Sequence, residues 1–379
     1  AKNNKHVWIF TEASQYARFT QASEAQRDSQ VFRRQLALEA FTLVRNLDEA
    51  IVAEWGSRQS KDASSDTWTS APELEYGENP HQKARFEVGA TAVEFSGRVS
   101  YNNVRDSEAA WRFVKEFDAT KHPAACVVKH QTLCGASVAS RPQHFAEAFQ
   151  WAWEGDPVSR FGGILGFNRV PNAEITEALV KPFIEVIVLP LSSEARAWAE
   201  AYRAKKERVL TVLVDPKGDA ATETWSGTLG RLTQEPDHAL DYDTKISLTS
   251  PDEFWIRSSA WMGACCKSNG LAITAPDKNG NIVLLGAGQG QPNRVEAFSQ
   301  LARPRMKAFI ERFPEFSAEA ALLYSDAFLP FPDLVDDMHH AGLRRLVQPG
   351  GSKNDTKVLD RARELGVKVE LTGRRHFWH

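Results

Sequence analysis

Four short apolar runs, AACVVKH (124–130), FIEVIVLP (183–190), RVLTVLV (208–214) and NIVLLGAG (281–288), most narrow what this chain can fold into. Each is rich in small or β-branched residues and bounded by polar or turn residues, the pattern of a strand buried on both faces. Helical patterns alternate with them, as at 107–117 and 145–153. Alternation of this kind implies an α/β sheet with helices packed on it. At 379 residues the chain has room for two domains, or for one built from two similar halves. A faint internal echo favours the second: AACVVKHQTLCGASVA (124–139) resembles MGACCKSNGLAITA (262–275). Both read as an apolar strand ending in a Lys-containing turn.

The N-terminal part has a different texture. Residues 31–55 place Phe32, Leu36, Ala40, Leu43, Val44, Leu47 and Ile51 at three- and four-residue spacings, which predicts an amphipathic helix. HVWIF (6–10) reads as a short strand before it, and the Ser-, Asp- and Thr-rich stretch 56–70 as a linker after it. The formal charge of −3 offers no bulk attraction to DNA or RNA. No apolar run approaches the roughly 20 residues that span a bilayer, and AKNNKHVWIF lacks a signal peptide's apolar stretch, so a cytoplasmic protein with no membrane partner is expected. Four cysteines, two of them adjacent, do not make a disulfide framework.

Lys129 and His130 follow an apolar run and precede Gly135, where a strand opens toward a cleft. A neutral imidazole accepts a proton at cellular pH, while an adjacent ammonium disfavours imidazolium and stabilises an oxyanion. The pair suits acyl transfer to an amine; taken alone, it also reads as a surface Lys beside a structural His. The segments 76–82, 161–168 and 284–295 read as turns, with Arg294 suited to an anion, and none matches a dinucleotide fingerprint or a Walker loop. The C-terminal TGRRHFWH reads as a strand end able to bind phosphate, against the general rule that termini fray. A zinc site built on Cys126, His130 and Cys134 is rejected: ligands four apart on a strand lie too far apart for one tetrahedral ion, and H-x-E with P-C-x-x-C is absent.

Taken together, YGENPHQ, VVKHQTLCG, DPVSRFGG, FIEVIVLP, KSN, GAGQ with NRV, SDAFLPF, QPGGS and TGRRHFWH resemble, in order, the formyltransferase region of the bifunctional purine biosynthesis family. That family joins AICAR formyltransferase (AICAR is aminoimidazole carboxamide ribotide) to IMP cyclohydrolase. The resemblance covers about residues 72–379, and residues 30–55 look like the last cyclohydrolase helix. It implies an α/β fold of two cytidine-deaminase-like three-layer halves without zinc, at 71–245 and 246–379, after a cyclohydrolase remnant and linker helix at 1–70. It implies a homodimer with sites at the subunit interface, 10-formyltetrahydrofolate as co-substrate, AICAR as acceptor, and no IMP cyclohydrolase activity from this chain. His130 falls where the family's base would be and Lys129 where the oxyanion is stabilised. Tyr76, Gly162, Glu185, Asn269, Arg294 and Arg375 fall at ribotide contacts, and Val295, Phe328, Asp333 and Ser352 at folate contacts; no residue falls at a metal.

Three departures stand out. Glu75 occupies the position where the family has a phosphate-binding Arg, so Arg374, Lys353 or Arg85 would have to compensate. Gln131, Thr132 and Leu133 replace the usual Ala-Asn-Pro, and Gly290-Gln291-Pro292-Asn293 adds spacing before Arg294. Glu75 and the 131–133 turn motivate one competing expectation, a divergent paralogue that has lost turnover or binds a related ribotide, and the absence of most of the cyclohydrolase motivates another, an interaction scaffold.

Overall fold

A computed structural model describes residues 2–62, 68–87, 89, 91–206, 209–218, 222–238 and 253–379. The chain divides into two compact units, Ala1–Thr67 and Trp68–His379.

In the first unit α1 (Ser14–Gln21), α2 (Glu24–Arg27) and α3 (Gln30–Asp62) follow one another. The expected helix is present, but it runs through Gly56 to Asp62, where a linker was expected: Ser, Arg, Gln and Lys readily prolong a helix already nucleated. Residues 63–67 of that linker lie outside the described residues. HVWIF is not a strand. Trp8 and Phe10 instead pack edge-to-face on Phe19, and the Arg33 guanidinium lies 4.7 Å over the Trp8 ring. On α3, Leu36 and Ala40 are buried, whereas Leu43, Val44, Leu47 and Ile51 keep 44–60% of their surface exposed.

The second unit opens with β1 (Trp68–Thr69) and β2 (Val93–Ser96). Then come α4 (Tyr101–Val114), β3 (Ala124–Lys129), β4 (Thr132–Val138), α5 (Phe145–Glu154), β5 (Gly163–Phe167), α6 (Ala173–Ala178), β6 (Ile184–Pro190), α7 (Ser193–Lys205) and β7 (Leu210–Val214). An exposed hairpin, β8 (Glu223–Gly227) and β9 (Gly230–Gln234), follows. The second run is α8 (Glu253–Ala264), β10 (Leu271–Pro276), β11 (Ile282–Gly288), α9 (Arg294–Glu296), α10 (Arg303–Arg312), β12 (Leu322–Ser325), α11 (Asp333–His340), β13 (Arg345–Gln348), α12 (Asp355–Glu364) and β14 (Lys368–Leu371).

Each run is thus a helix, an antiparallel hairpin, a helical connection and three parallel strands linked by helices. One mixed sheet takes them in the order β1-β2-β7-β6-β5-β3-β4-β11-β10-β12-β13-β14, so the runs mirror one another about β4 and β11. The repeat is real in topology, but the sequence echo misaligned it. Residues 262–266 end α8 and enter its following loop, and β10 is the strand equivalent to β3. Both segments look alike because both are small, apolar and buried. Residues 161–168, expected as a turn, hold β5, whose Ile164, Leu165 and Phe167 are buried.

Side chains alternate across the sheet. Ala124, Cys126 and Val128 of β3 join α4 and α8 in one core, while Ala125 and Val127 face α5, α6 and α7. Helices α10, α11 and α12 cover the same far side in the second run. Trp261 of α8 is fully buried and donates its indole N–H to Phe113 O of α4 at 3.1 Å, tying the runs together. The central strands each carry a glycine where a helix passes close: a Cβ on Gly135 would stand 2.0 Å from Ala152 O, and one on Gly286 2.4 Å from Ala302 O.

Asn281, fully buried before β11, joins the runs at the other end of the central pair. Its carbonyl accepts Ser140 N–H at 2.9 Å, and its amide donates to Glu147 at 3.0 Å and Asp277 at 2.8 Å. Asn281→Ala leaves the Ser140 N–H unmet and takes one donor each from Glu147 and Asp277, so chemical denaturation should show a loss of about 1–3 kcal/mol. A change below about 0.5 kcal/mol would mean that the clamp is dispensable.

Candidate active site

The β3–β4 hairpin turns through His130 and Gln131, whose φ values are +52° and +58°. Two consecutive left-handed residues make the tight turn that suits a two-residue hairpin, a conformation unfavourable for non-glycine residues unless held from outside. Asp106 of α4 holds it: one carboxylate oxygen accepts His130 N–H at 3.1 Å and the other Gln131 N–H at 2.7 Å. Arg105 adds a 2.8 Å bond to the Gln131 side chain. The His130 side chain is left exposed, and Lys129 donates its ammonium to Phe161 O at 2.7 Å.

Strand directions determine which loops share this edge. Val138 pairs with Ile282, so the hairpin tip and the C-terminal end of β11 lie together. The same edge takes the starts of β5, β6 and β10 and the ends of β2, β12, β13 and β14.

Around the hairpin tip the structure gathers Tyr76, Gly162 and Glu185. Gly162 has φ +65° and donates its N–H to Phe183 O, two residues before Glu185. Asn103 bonds Glu185 at 3.2 Å and, with Tyr76, lines a cavity of about 270 Å³. Glu73, Glu75 and Arg98 line it too, with Arg98 3.4 Å from Glu75. Arg98 is a cation beside Glu75, while Arg85 pairs with Glu87 and Arg374 lies 3.7 Å from Asp237.

A second group forms around Asp326, which is fully buried at the end of β12. Its carboxylate accepts Ser268 Oγ at 2.7 Å, Gly270 N–H at 2.9 Å and the Arg294 guanidinium at 2.7 Å, while its backbone carbonyl accepts His376 N–H. Asn269 donates to Gln291 O at 2.8 Å, so the added 290–293 segment wraps the 267–269 loop. The tail does not fray: Trp378 exchanges hydrogen bonds with Ser268, and Arg375, exposed, stacks 4.4 Å from the Phe377 ring. Val295 lies on α9 and Asp333 opens α11, which packs beside it; Asn354 bonds Pro330 O, bringing the Ser352 loop to that of Phe328.

Four strand spacings separate β6 from β11, about 20 Å at roughly 4.8 Å each, while the hairpin tip between β3 and β4 borders the C-terminal end of β11. Asp106, Arg98 and Asp326 escaped the sequence reading. Only Asp106 left a signal: a charge on the apolar stripe of α4, in helical register with buried Ala110 and Phe113.

All four cysteines are free thiols, and burial pushes each one up, Cys134 and Cys265 to about 12. Among the described residues no three His, Cys, Asp or Glu side chains are arranged to hold a metal, and no helix is long and apolar enough to cross a membrane.

Fold and edge together define a mixed α/β protein of two repeated halves whose loops gather polar side chains at one edge, with a recess beside Tyr76 and Asn103. Residues 1–303 match the AICARFT/IMPCHase bienzyme family, and the chain belongs to it. It is similar over its whole length to the bifunctional purine biosynthesis proteins PurH of Synechococcus elongatus (37% identical, 74% of that protein covered) and Rhizobium etli (35%, 73%). These are enzymes of purine biosynthesis.

Asp106→Asn keeps the shape but turns one acceptor into a donor facing an N–H. Hydrogen exchange at the His130 and Gln131 amides should accelerate at least about tenfold, equivalent to about 1.4 kcal/mol of lost protection. Unchanged exchange would remove Asp106 as the holder of the turn. The raised thiols predict slow iodoacetamide labelling at pH 8 in the native protein and rapid labelling once unfolded. Equal rates in the two states would contradict their burial.

Proposed function

We infer that the chain transfers a formyl group from 10-formyltetrahydrofolate to the amine of AICAR, as the transformylase part of its family. The observation that carries this reading is the Lys129-His130 turn, held in a strained conformation by Asp106 beside Tyr76, Gly162 and Glu185. Strain held at a turn that exposes an imidazole favours a catalytic role over a structural one. His130 takes the proton of the amine as its nitrogen attacks the formyl carbon. Lys129, which spends one N–H on Phe161, has two more for the oxygen that becomes anionic. The bond from carbon to N10 of the folate then breaks, and the proton passes to N10.

In this reading Tyr76, Gly162, Glu185, Asn269, Arg294 and Arg375 contact the ribotide, and Val295, Phe328, Asp333 and Ser352 the folate. In this reading the protein works as a homodimer with its sites at the subunit interface. Residues 71–245 and 246–379 are then the two deaminase-like halves, and residues 1–70 a cyclohydrolase remnant and linker. Arg294 is bound to Asp326, so the exposed Arg375 is the better phosphate cation.

The test is tetrahydrofolate formation followed by absorbance, with and without AICAR. Turnover that depends on AICAR and falls at least about 100-fold in His130→Ala supports the reading. An unaffected His130→Ala would overturn its role, and a folded, silent wild type would favour the altered-ligand paralogue that Glu73 and Glu75 at the cavity motivate. Glu75→Arg should bind AICAR more tightly by calorimetry; weaker binding would place the phosphate away from this cavity.

A further inference from the structure

A second cavity, of about 540 Å³, lies between α4 and the strands β2 and β7. Its walls include Val93 and Val214, which face one another in the ladder at the end of β2 and β7 away from His130. Three rings line it: Phe86 and Phe95, edge-to-face with centroids 5.4 Å apart, and Trp111 of α4. The volume falls within the range of small-molecule sites.

Polar side chains interrupt this apolar wall: Ser107, Glu108 and Lys115 of the α4 side, with Glu87, Thr91 and Thr222 around them. Ser107 is only 4% exposed, and its hydroxyl has no hydrogen-bond partner. Glu108 is exposed and also lines the cavity, and partial desolvation by the neighbouring protein pushes its carboxyl above the ordinary range, against the pull of Lys115 and Arg112. A buried hydroxyl without a partner is costly unless something meets it, and Glu108 offers an acceptor on the same wall.

We propose that this cavity is a binding site for a flat heteroaromatic amine, whose N–H edge meets Glu108 and Ser107 and whose ring lies among Phe86, Phe95 and Trp111. A carboxyl accepts a pair of parallel N–H donors, and an aromatic body fills a ring-lined wall. Glu87 and Glu108 outweigh Lys115 at this wall and disfavour anions, and purely apolar molecules leave the Ser107 hydroxyl unmet. The site does not depend on the transformylase reading. It shares α4 with Asp106, so its occupant bears on the helix that holds the His130 turn.

Calorimetry with 2-aminoquinoline and quinoline, which share a ring but differ in the N–H edge, tests this. The wild type should bind 2-aminoquinoline at least tenfold more tightly than quinoline. Glu108→Gln should abolish that preference, with its thermal transition showing it folded, and Val104→Trp, which fills the cavity from α4, should remove binding of both. Equal affinity for the two probes, an unchanged preference in Glu108→Gln, or no saturable binding by the wild type would overturn the proposal.

Discussion

The pairing of β4 with β11 is the contact on which the rest of this architecture depends. It joins two runs of the same element order into one sheet, and it does so antiparallel, with Val138 opposite Ile282 and Ser137 opposite Val283. Strands buried on both faces need helices at close range, and the two central strands meet that need in the same way. Gly135 lets the backbone of α5 approach β4, and Gly286 lets the chain before α10 approach β11. Any side chain at either position would collide with a helix carbonyl, so the glycines act through proximity, not through backbone freedom. Buried Asn281 then locks the far end of the pair, where a slip in register would strand its partners Ser140, Glu147 and Asp277.

An antiparallel centre also decides where function gathers. Because the first half turns its hairpin tip and the starts of β5 and β6 to the edge where the second half turns the start of β10 and the ends of β11 and β12, distant segments arrive side by side: 76, 103, 130, 162 and 185 in one group, and 269, 294, 326 and 376 in the other. No local sequence property brings these together. The sheet does, by making strand direction alternate at β3, β4, β11 and β10 and run parallel beyond them.

The parts of the fold that sequence reading recovered are those governed by local, repeated patterning. Strands β3, β6, β7 and β11, and helices α3, α4 and α5, follow from apolar periodicity, with boundaries off by a few residues. What it missed was decided by tertiary surroundings. HVWIF has strand composition but finds an aromatic cluster instead of a neighbouring strand, and FGGILGFN has turn composition but lies between β3 and β6. Gly166 within it is a packing requirement: a Cβ there would stand 2.9 Å from Cys126 Sγ and 3.0 Å from Ala110 Cβ. Lys129 and His130 were legible from their place after a strand. The groups that hold them were not, since Asp106 lies 24 residues before His130 and is recruited only once α4 packs on the sheet.

Buried carboxylates organise both groups, and this bears on which cations remain for a ligand. Burying an ionised carboxylate is tolerable only when donors surround it, and once they do they are spent. Asp106 takes two backbone amides and leaves the side chains of Lys129 and His130 outward. Asp326 takes a hydroxyl, an amide and the Arg294 guanidinium, so that arginine is consumed in holding the loops at 268–270 and 325–328 together. An anion arriving here would have to compete with a carboxylate already in place. Arg375, outside this network and stacked on Phe377, carries its charge at the surface. The two arginines, alike in sequence as candidate anion binders, are separated by burial into one that builds the edge and one that faces solvent from it.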